Sequence, residues 1–504
     1  MSPFDSVLSF RLLGRGAVAA SLLSLALAGG CTKTVFVDDD DDDGGSSSPG
    51  EPRTPTVAAA AQITKITINQ GVERVLMEDG TSVSSDLPII AGRPALVRVF
   101  YSSGASGAAI RGRVTLGEEA EPIDVDATLV AQSTEDDLNS TVNFELTAEQ
   151  VVDMLAYRVE LLAEVGSAAA TESGAGSVYP AQGRQELLVD GVRNRLRVVM
   201  VPFQYNADGS GRLPDMSEER IEQTRQRFLS LYPVSGVDIT VRASVPWGGG
   251  IGPDGSGWQE VGFRLAQIRQ AEAEPDQYFY GIFNPTRSVG EFCGRGCLLG
   301  VTLLNSDPVD EGNEQLRLAL GVGFDEVGID TAAHELGHSH GRQHAPCAPG
   351  NQIDSVDPEY PHPGGVIGVW GWDIVQKELK APDFFTDVMG YCDNQWISDH
   401  NFLALYQRSR FVNQPDGADR IPHTIIGVDG EGHTQWVSEG LKYSRLLTGH
   451  EPLKVALADG STETRYGRFF RYDHLPGGWI LVPGGKEMVG IEGEIGGVYR
   501  KLSR

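Results

Sequence analysis

The first third of the chain alternates short apolar runs with turn residues. Three of these runs are ITKITI (63–68), ALVRVFY (95–101) and YRVELLAEV (157–165). They are rich in β-branched and aromatic side chains, and short strands at this spacing are typical of an antiparallel β-sandwich. We therefore predict an N-terminal antiparallel β-sandwich domain over residues 62–193.

The hydrophobic pattern changes near residue 194. LRVVMVPF (196–203) is an almost continuous apolar run, as expected for a strand that is covered on both faces. Helical spacing then alternates with strand-like runs: Ile221, Thr224, Phe228 and Leu231; VDITVRASV (237–245); Trp258, Val261, Leu265 and Ile268; and YFYGIF (278–283). Strands that alternate with helices predict a central α/β domain, which we place at residues 194–412.

Short strands return after about residue 410. The runs TIIGV (424–428), KVALA (454–458) and GWILV (478–482) predict a small β-rich C-terminal domain over residues 413–504. Nothing in its sequence assigns it a purpose. The predicted fold class is thus multidomain, with β-rich domains on either side of an α/β domain.

The N-terminus has the pattern of an export signal over residues 1–30. Arg11 and Arg15 precede an apolar stretch that is too short to span a bilayer, and this stretch ends in LALAGGC (25–31). These letters resemble the lipobox of bacterial lipoproteins, in which Cys31 carries the lipid; an ordinary cleaved signal with a coincidental cysteine is the alternative. We predict a lipid-anchored protein at the outer membrane or cell surface.

Residues 31–61 are acidic and rich in Gly and Ser, which predicts a disordered tether. The formal net charge of the whole chain is −28. That charge argues against nucleic acid as a partner, and it leaves the lipid anchor as the contact with a membrane. We expect a monomer.

HELGHSHGRQH (334–344) contains four of the chain's ten histidines. On a helix, His334 and His338 lie on one face and can share a metal ion, while Glu335 can reach a water molecule on that metal. Gly341 can adopt the left-handed conformation and bring His344 under the same ion. Three imidazoles with one open position predict one catalytic Zn²⁺. The alternative is a histidine-rich helix that binds no metal.

His340 is surplus to this pattern. It lies two residues after His338 and therefore points to another side of the helix, so we expect it to be solvated or to support a ligand.

The five specified positions of HExxHxxGxxH resemble the motif of the metzincin metalloproteases. The family also places a methionine in a tight turn beneath the zinc, and DVMGYC (387–392) puts Met389 there; a buried core methionine is the alternative. Tyr391 matches a tyrosine that some branches use to stabilise the transition state, although it could instead be a packed aromatic residue.

Four cysteines besides Cys31 predict two disulfides in an oxidising compartment, with three pairings open. The resemblance favours Cys347 with Cys392, because their loops both close under the zinc, and it leaves Cys293 with Cys297. The pair Cys293 and Cys297 could alternatively contribute to a metal site.

Longer phrases resemble the StcE-like secreted mucinases and related bacterial lipoproteins. They are IIAGRPALVRVFY (89–101), HAPC (344–347), GGVIGVWGWD (364–373) and DVMGYCDNQWISDHNF (387–402). The resemblance implies an edge strand near residues 298–303 that aligns an extended substrate. It also makes Trp370, Trp372 and Trp396 candidates for substrate contacts, although buried tryptophans are commoner.

The resemblance implies a zinc-dependent endopeptidase that cleaves extracellular proteins, including O-glycosylated ones. Glu335 would take a proton from water and pass it to the leaving amine. No cysteine-containing inhibitory segment is apparent upstream. One alternative is a non-catalytic surface lipoprotein that binds glycoproteins and keeps zinc for structure alone; another is hydrolysis of a cell-wall peptide.

Overall fold

The computed structural model describes residues 55–117, 120–152, 155–170, 175–192, 194–294, 296–304, 314–348, 353–414, 421–443 and 449–504. The predicted signal, Cys31 and most of the predicted tether lie outside these residues. The last part of the tether prediction is wrong, because residues 56–57 and 61 are already in strands. Thr56 and Val57 pair with residues 162–163, so main-chain hydrogen bonds hold this segment in a sheet despite its small side chains.

Two antiparallel sheets form the N-terminal region. The strands are β1 (Thr56–Val57), β2 (Ala61–Asn69), β3 (Glu73–Glu78), β4 (Thr81–Ser82), β5 (Ala95–Ser103), β6 (Ala109–Leu116), β7 (Ile123–Thr128), β8 (Val142–Leu146), β9 (Leu155–Ala163), β10 (Val178–Tyr179) and β11 (Gln185–Leu187). One sheet has the order β1-β9-β6-β7, with β10 and β11 also paired to β9, and the other has the order β4-β3-β2-β5-β8. Alternate side chains of both sheets meet in one apolar core that includes Ile66, Val99, Val114 and Val159.

The central region is built on a mostly parallel sheet. Its elements are β12 (Arg195–Tyr205), α1 (Glu218–Leu231), β13 (Gly236–Val241), β14 (Val245–Trp247), α2 (Trp258–Glu272), β15 (Gln277–Phe283), α3 (Val289–Phe292), β16 (Gly300–Thr302), β17 (Leu318–Val322) and α4 (Asp325–Ser339). The strand order in the sheet is β13-β12-β15-β17-β16. Side chains of α2 pack on one face, and those of α1 and α4 pack on the other. Both faces are therefore covered, which explains the continuous apolar run in β12.

Short elements follow α4 and support its C-terminal end. They are β18 (Gly371–Asp373), β19 (Glu378–Lys380), β20 (Thr386–Asp387), β21 (Gln395–Trp396) and α5 (Asp399–Asn413). Strand β20 pairs with β21 in parallel, and α5 packs against the face of the sheet that also carries α1 and α4.

An antiparallel sheet forms the C-terminal region and curls towards a barrel. Its strands are β22 (Ile421–Val428), β23 (Thr434–Tyr443), β24 (Glu451–Leu457), β25 (Thr462–Arg471), β26 (Gly478–Pro483), β27 (Met488–Ile495) and β28 (Val498–Ser503). Their order in the sheet is β23-β22-β26-β25-β24-β27-β28. Ile480 and Val482 face the sheet's own core, whereas Trp479 and Leu481 join the core beneath α2. The apolar run in β26 thus serves two cores at once.

The described part of the protein is mostly β, with several sheets. Among these residues, every helix is too short or too polar to be a candidate for crossing a membrane.

Candidate metal centre

Helix α4 presents the first two histidines of the motif on one face. The Nε2 atoms of His334 and His338 lie 3.0 Å apart, and both side chains are buried. This is the geometry expected for an i, i+4 pair, because residues four apart lie about one turn apart on the same side of a helix.

The third histidine arrives through a sharp turn. Gly341 has a φ of 89°, which lets the chain leave the helix and return. The Nε2 atom of His344 then lies 3.1 Å from that of His338. The nitrogens of a tetrahedral zinc site lie about 3.3 Å apart when each is 2.0–2.1 Å from the metal, so the three imidazoles have a spacing that fits a metal ion.

The protonation of these rings also fits a cation. Each Nδ1 atom contacts a backbone carbonyl oxygen: His334 that of Val388 at 2.7 Å, His338 that of Arg342 at 2.6 Å, and His344 that of Asp354 at 2.5 Å. A carbonyl only accepts, so each Nδ1 carries the proton and each Nε2 offers a lone pair. The Nε2 atom of His338 lies 3.0 and 3.1 Å from those of His334 and His344, so their lone pairs repel one another and a bound cation would offset the repulsion.

Burial keeps these imidazoles neutral, as metal ligands must be. Burial lowers the pKa of all three rings. The pKa values of His338 and His344 are lowered further because the neighbouring imidazole rings repel added positive charge. The cluster could therefore hold a metal ion, and the donor set alone does not say which one.

The segment around Met389 lies directly beneath α4. Met389 is fully buried, and a Cβ atom on Gly337 would overlap its sulfur, so the glycine allows this close contact. Asp387 holds the turn by accepting hydrogen bonds from the amides of Met389 and Ser398 and from the side chain of Asn401. The turn in return supplies the carbonyl of Val388 to His334.

Two disulfides are formed, Cys293–Cys297 and Cys347–Cys392. The second joins the chain just after His344 to the chain just after Met389. The amide of Tyr391 also donates to the carbonyl of Cys347 at 2.6 Å, and the amide of Ala345 donates to that of Met389 at 3.0 Å. The predicted pairing is confirmed, and it braces the third histidine against the methionine turn.

Glu335 lies beside the histidines and is almost fully buried. Its carboxyl lies against that of Asp473, close enough for a side-chain hydrogen bond through a shared proton. Gly300 in β16 makes room for it, because a Cβ atom at that position would overlap Oε1. Burial, and then the nearby carboxyl of Asp473, raise the pKa of Glu335 well above its usual range. A buried carboxyl with a raised pKa suits the transfer of a proton better than the stabilisation of the fold.

The structure adds two residues that the sequence reasoning missed, Asp473 and His474. They lie in the turn between β25 and β26, and a ring nitrogen of His474 is close enough to those of His334, His338 and His344 to share one ion. His474 Nε2 is also 3.7 Å from Glu335 Oε1. No spacing rule relates residue 474 to a motif that ends at 344, so no sequence signal was available.

Tyr391 connects the two sources of histidine. Its hydroxyl lies 2.7 Å from His344 Nε2 and 3.0 Å from His474 Nδ1. Burial raises the pKa of this phenol well above 10, and the carboxyls of Asp473 and Glu335 add to the effect. The group therefore remains a neutral hydrogen-bond donor.

Several expectations about the surroundings are wrong. His340 is buried, so the solvated alternative for it is wrong; its ring stacks on Tyr278 at 4.1 Å, away from the cluster. Trp372 and Trp396 are also buried, and Trp396 donates to the carbonyl of Gly71 in the N-terminal region, so neither is free to contact a substrate. Large aromatic side chains bury the most apolar area, and packing has used them here. Trp370 is half-buried.

The expected edge strand is shorter than predicted and is covered at its end. It spans Gly300–Thr302 and pairs antiparallel with β17. From Thr302 to Leu304 the chain is hydrogen-bonded to the segment from Arg471 to Asp473 of the C-terminal region. The sequence could not show this, because the covering residues lie 170 positions away.

No protein-family model matches this chain, and no curated protein matches it.

Proposed function

We propose that the protein is a zinc-dependent endopeptidase of the metzincin type, with a central zincin domain between two β domains. The observation that carries this proposal is Glu335: a buried carboxyl beside three convergent imidazoles, facing Asp473 and His474. A site that only stabilises the fold has no use for such a group, because burying it costs free energy.

The residues present suit Zn²⁺. Neutral imidazole donors suit zinc, as they also suit copper, iron and nickel, and each ring is oriented by a carbonyl on its far side. Zinc bound by His334, His338 and His344 would supply a Lewis acid and make a nearby water more acidic.

The remaining steps fall to side chains of this chain. Glu335 takes a proton as the water oxygen bonds to the peptide carbonyl carbon, and it then gives that proton to the amine nitrogen as the C–N bond breaks. The Tyr391 hydroxyl donates a hydrogen bond to the carbonyl oxygen while that oxygen gains negative charge. The products are a carboxylic acid and an amine, and no covalent intermediate with the protein is needed.

The proposed substrates are extracellular proteins, including O-glycosylated ones, and the proposed location is the outer membrane or cell surface, through Cys31. Both rest on the sequence resemblances in the signal and the mucinase-like phrases. The net charge of −28 agrees with a protein that uses a lipid and not its surface to stay at a membrane.

One observation favours a second candidate, a non-catalytic binding protein with structural zinc. His474 brings a fourth nitrogen to the cluster, and structural zinc sites are usually closed by four protein ligands. The buried Glu335 carboxyl argues the other way, because a structural site would not require it.

The test is zinc content together with cleavage of an O-glycosylated mucin and of casein. We would measure both for the full chain, for His474→Ala, and for each of these combined with Glu335→Gln. We expect one zinc per chain in every form, cleavage by His474→Ala, and no cleavage by either form that carries Glu335→Gln. Zinc in every form and cleavage by none would reject the peptidase and leave the structural site.

A further inference from the structure

We propose that the turn Arg471–His474 occupies the substrate groove as an internal plug, so that the full chain is a latent enzyme until this turn is displaced. The inference rests on the proposed function. It concerns a part of the protein, the C-terminal β region, to which the sequence assigned no purpose.

The first argument is the main chain. An extended substrate would pair with the outer edge of β16 by adding a strand to the sheet. In the structure, the Leu304 amide donates to the Arg471 carbonyl at 2.8 Å, and the Asp473 amide donates to the Thr302 carbonyl at 3.2 Å. Leu303 and Tyr472 are antiparallel partners. The plug therefore makes the hydrogen bonds that a bound peptide would make.

The second argument is where the plug ends. Directly after the paired residues, His474 enters the cluster formed by His334, His338 and His344. It takes the position next to Tyr391 and Glu335 that the scissile peptide and the attacking water would need. The plug thus blocks the edge strand and the reacting position together.

The third argument concerns polar groups. Asp473 lies against Glu335, and these two buried carboxyls are close enough to form a side-chain hydrogen bond through a shared proton. One oxygen of Asp473 also accepts from the amides of Thr302 and His474. The plug therefore engages the Glu335 carboxyl, which an attacking water would have to reach in an open enzyme.

Packing limits the displacement to the turn itself. Phe470 and Trp479, in the strands on either side, are buried in the core beneath α2, and the plug contributes Tyr472 to the same core. Asp473 is also buried, whereas 15 % of the His474 side chain is exposed and Pro476 is exposed. Displacing the plug would expose Tyr472 but leave Phe470 and Trp479 in place, which costs less buried apolar surface than moving the whole sheet.

The experiment measures access to the metal without relying on catalysis. The zinc of the full chain is replaced by Co²⁺, and acetohydroxamate, a small chelating anion, is titrated while the visible absorption of the cobalt is recorded. The variants are His474→Ala and the bulkier His474→Gln, which serves if the first does not fold. The matched control is His433→Ala, an exposed histidine of the same region that pairs with Asp429.

We expect the His474 variants to bind acetohydroxamate at least about tenfold more tightly than the unmodified chain. In the unmodified chain only the open molecules can bind it, so the apparent affinity equals the intrinsic affinity multiplied by the open fraction. Their Leu304 and Asp473 amides should also exchange hydrogen faster. The control should match the unmodified chain in both measurements. Equal affinity in unmodified and His474-substituted protein would overturn the plug.

Cleavage assays separate this inference from the proposed function. If the unmodified chain and the His474 variants cleave casein at the same Glu335-dependent rate, the peptidase stands and the plug is rejected. If the variants bind acetohydroxamate tightly and no form cleaves protein, His474 does block the metal, but the proposed function fails and with it the latent enzyme.

Discussion

Two regions of the chain supply histidines to the same cluster, and they do so by different means. His334, His338 and His344 lie within eleven residues, and a helix and one glycine turn bring them together. His474 comes from a turn between two strands of another sheet. The first set is fixed by local geometry, whereas the second depends on how two distant parts of the chain pack. We therefore expect the two sources to differ in their effects when each is changed.

The largest expected difference is between the two carboxyls. Glu335→Gln should lower the rate of peptide cleavage by roughly 10³- to 10⁴-fold, because the amide cannot accept the proton. Asp473→Asn should leave that rate unchanged or raise it, since in our proposal Asp473 belongs to the plug. Cleavage of casein by zinc-loaded protein that also carries His474→Ala measures both, and a loss of similar size in both variants would contradict the distinction.

The two disulfides offer a second comparison. Replacing Cys347 and Cys392 by serine should lower the free energy of unfolding by up to about 4 kcal/mol, as expected for a loop of this length, and should weaken zinc binding. Replacing Cys293 and Cys297, which close a much shorter loop away from the histidines, should cost less stability and leave zinc binding unchanged. Urea unfolding with and without a chelator tests this. Equal loss of zinc affinity from both pairs would be evidence against the bracing role of Cys347–Cys392.

Two glycines next to the site form a third pair. Gly337→Ala would overlap the Met389 sulfur and should cost about 1–3 kcal/mol of stability. Gly300→Ala would overlap Glu335 Oε1 and should mainly reduce cleavage, because it displaces that carboxyl. Thermal unfolding and kcat, measured on both variants, separate the two effects. The comparison fails if Gly300→Ala loses stability and activity in the same proportion as Gly337→Ala.

Tyr391 contacts both His344 and His474, so its replacement should change both cleavage and access to the metal, each by a small amount. Tyr391→Phe should lower kcat by about tenfold through the loss of one hydrogen bond to the developing charge. The same change removes a hydrogen bond to His474, which should loosen the plug and increase acetohydroxamate binding. Measuring kcat and hydroxamate affinity in one variant tests both. An unchanged kcat would remove Tyr391 from the proposed mechanism.

The sequence predicted the local elements well. Helices α1 and α2 lie where helical spacing placed them, and antiparallel sheets occupy both ends of the chain. Hydrophobic periodicity was sufficient because each element buries one side. It failed for Trp372 and Trp396, since a tryptophan in a loop carries no sign of whether it faces a core or a cleft.

By itself the sequence determined the three-histidine arrangement, because i, i+4 spacing on a helix and a glycine turn leave few alternatives. It also made the pairing of Cys347 with Cys392 a reasonable expectation once their loops were placed near one site. Only the tertiary structure decided that Arg471–His474 pairs with β16 and that His474 completes the cluster. That contact joins residues about 170 positions apart through backbone hydrogen bonds, which depend on no particular side chain and therefore leave no pattern in the sequence.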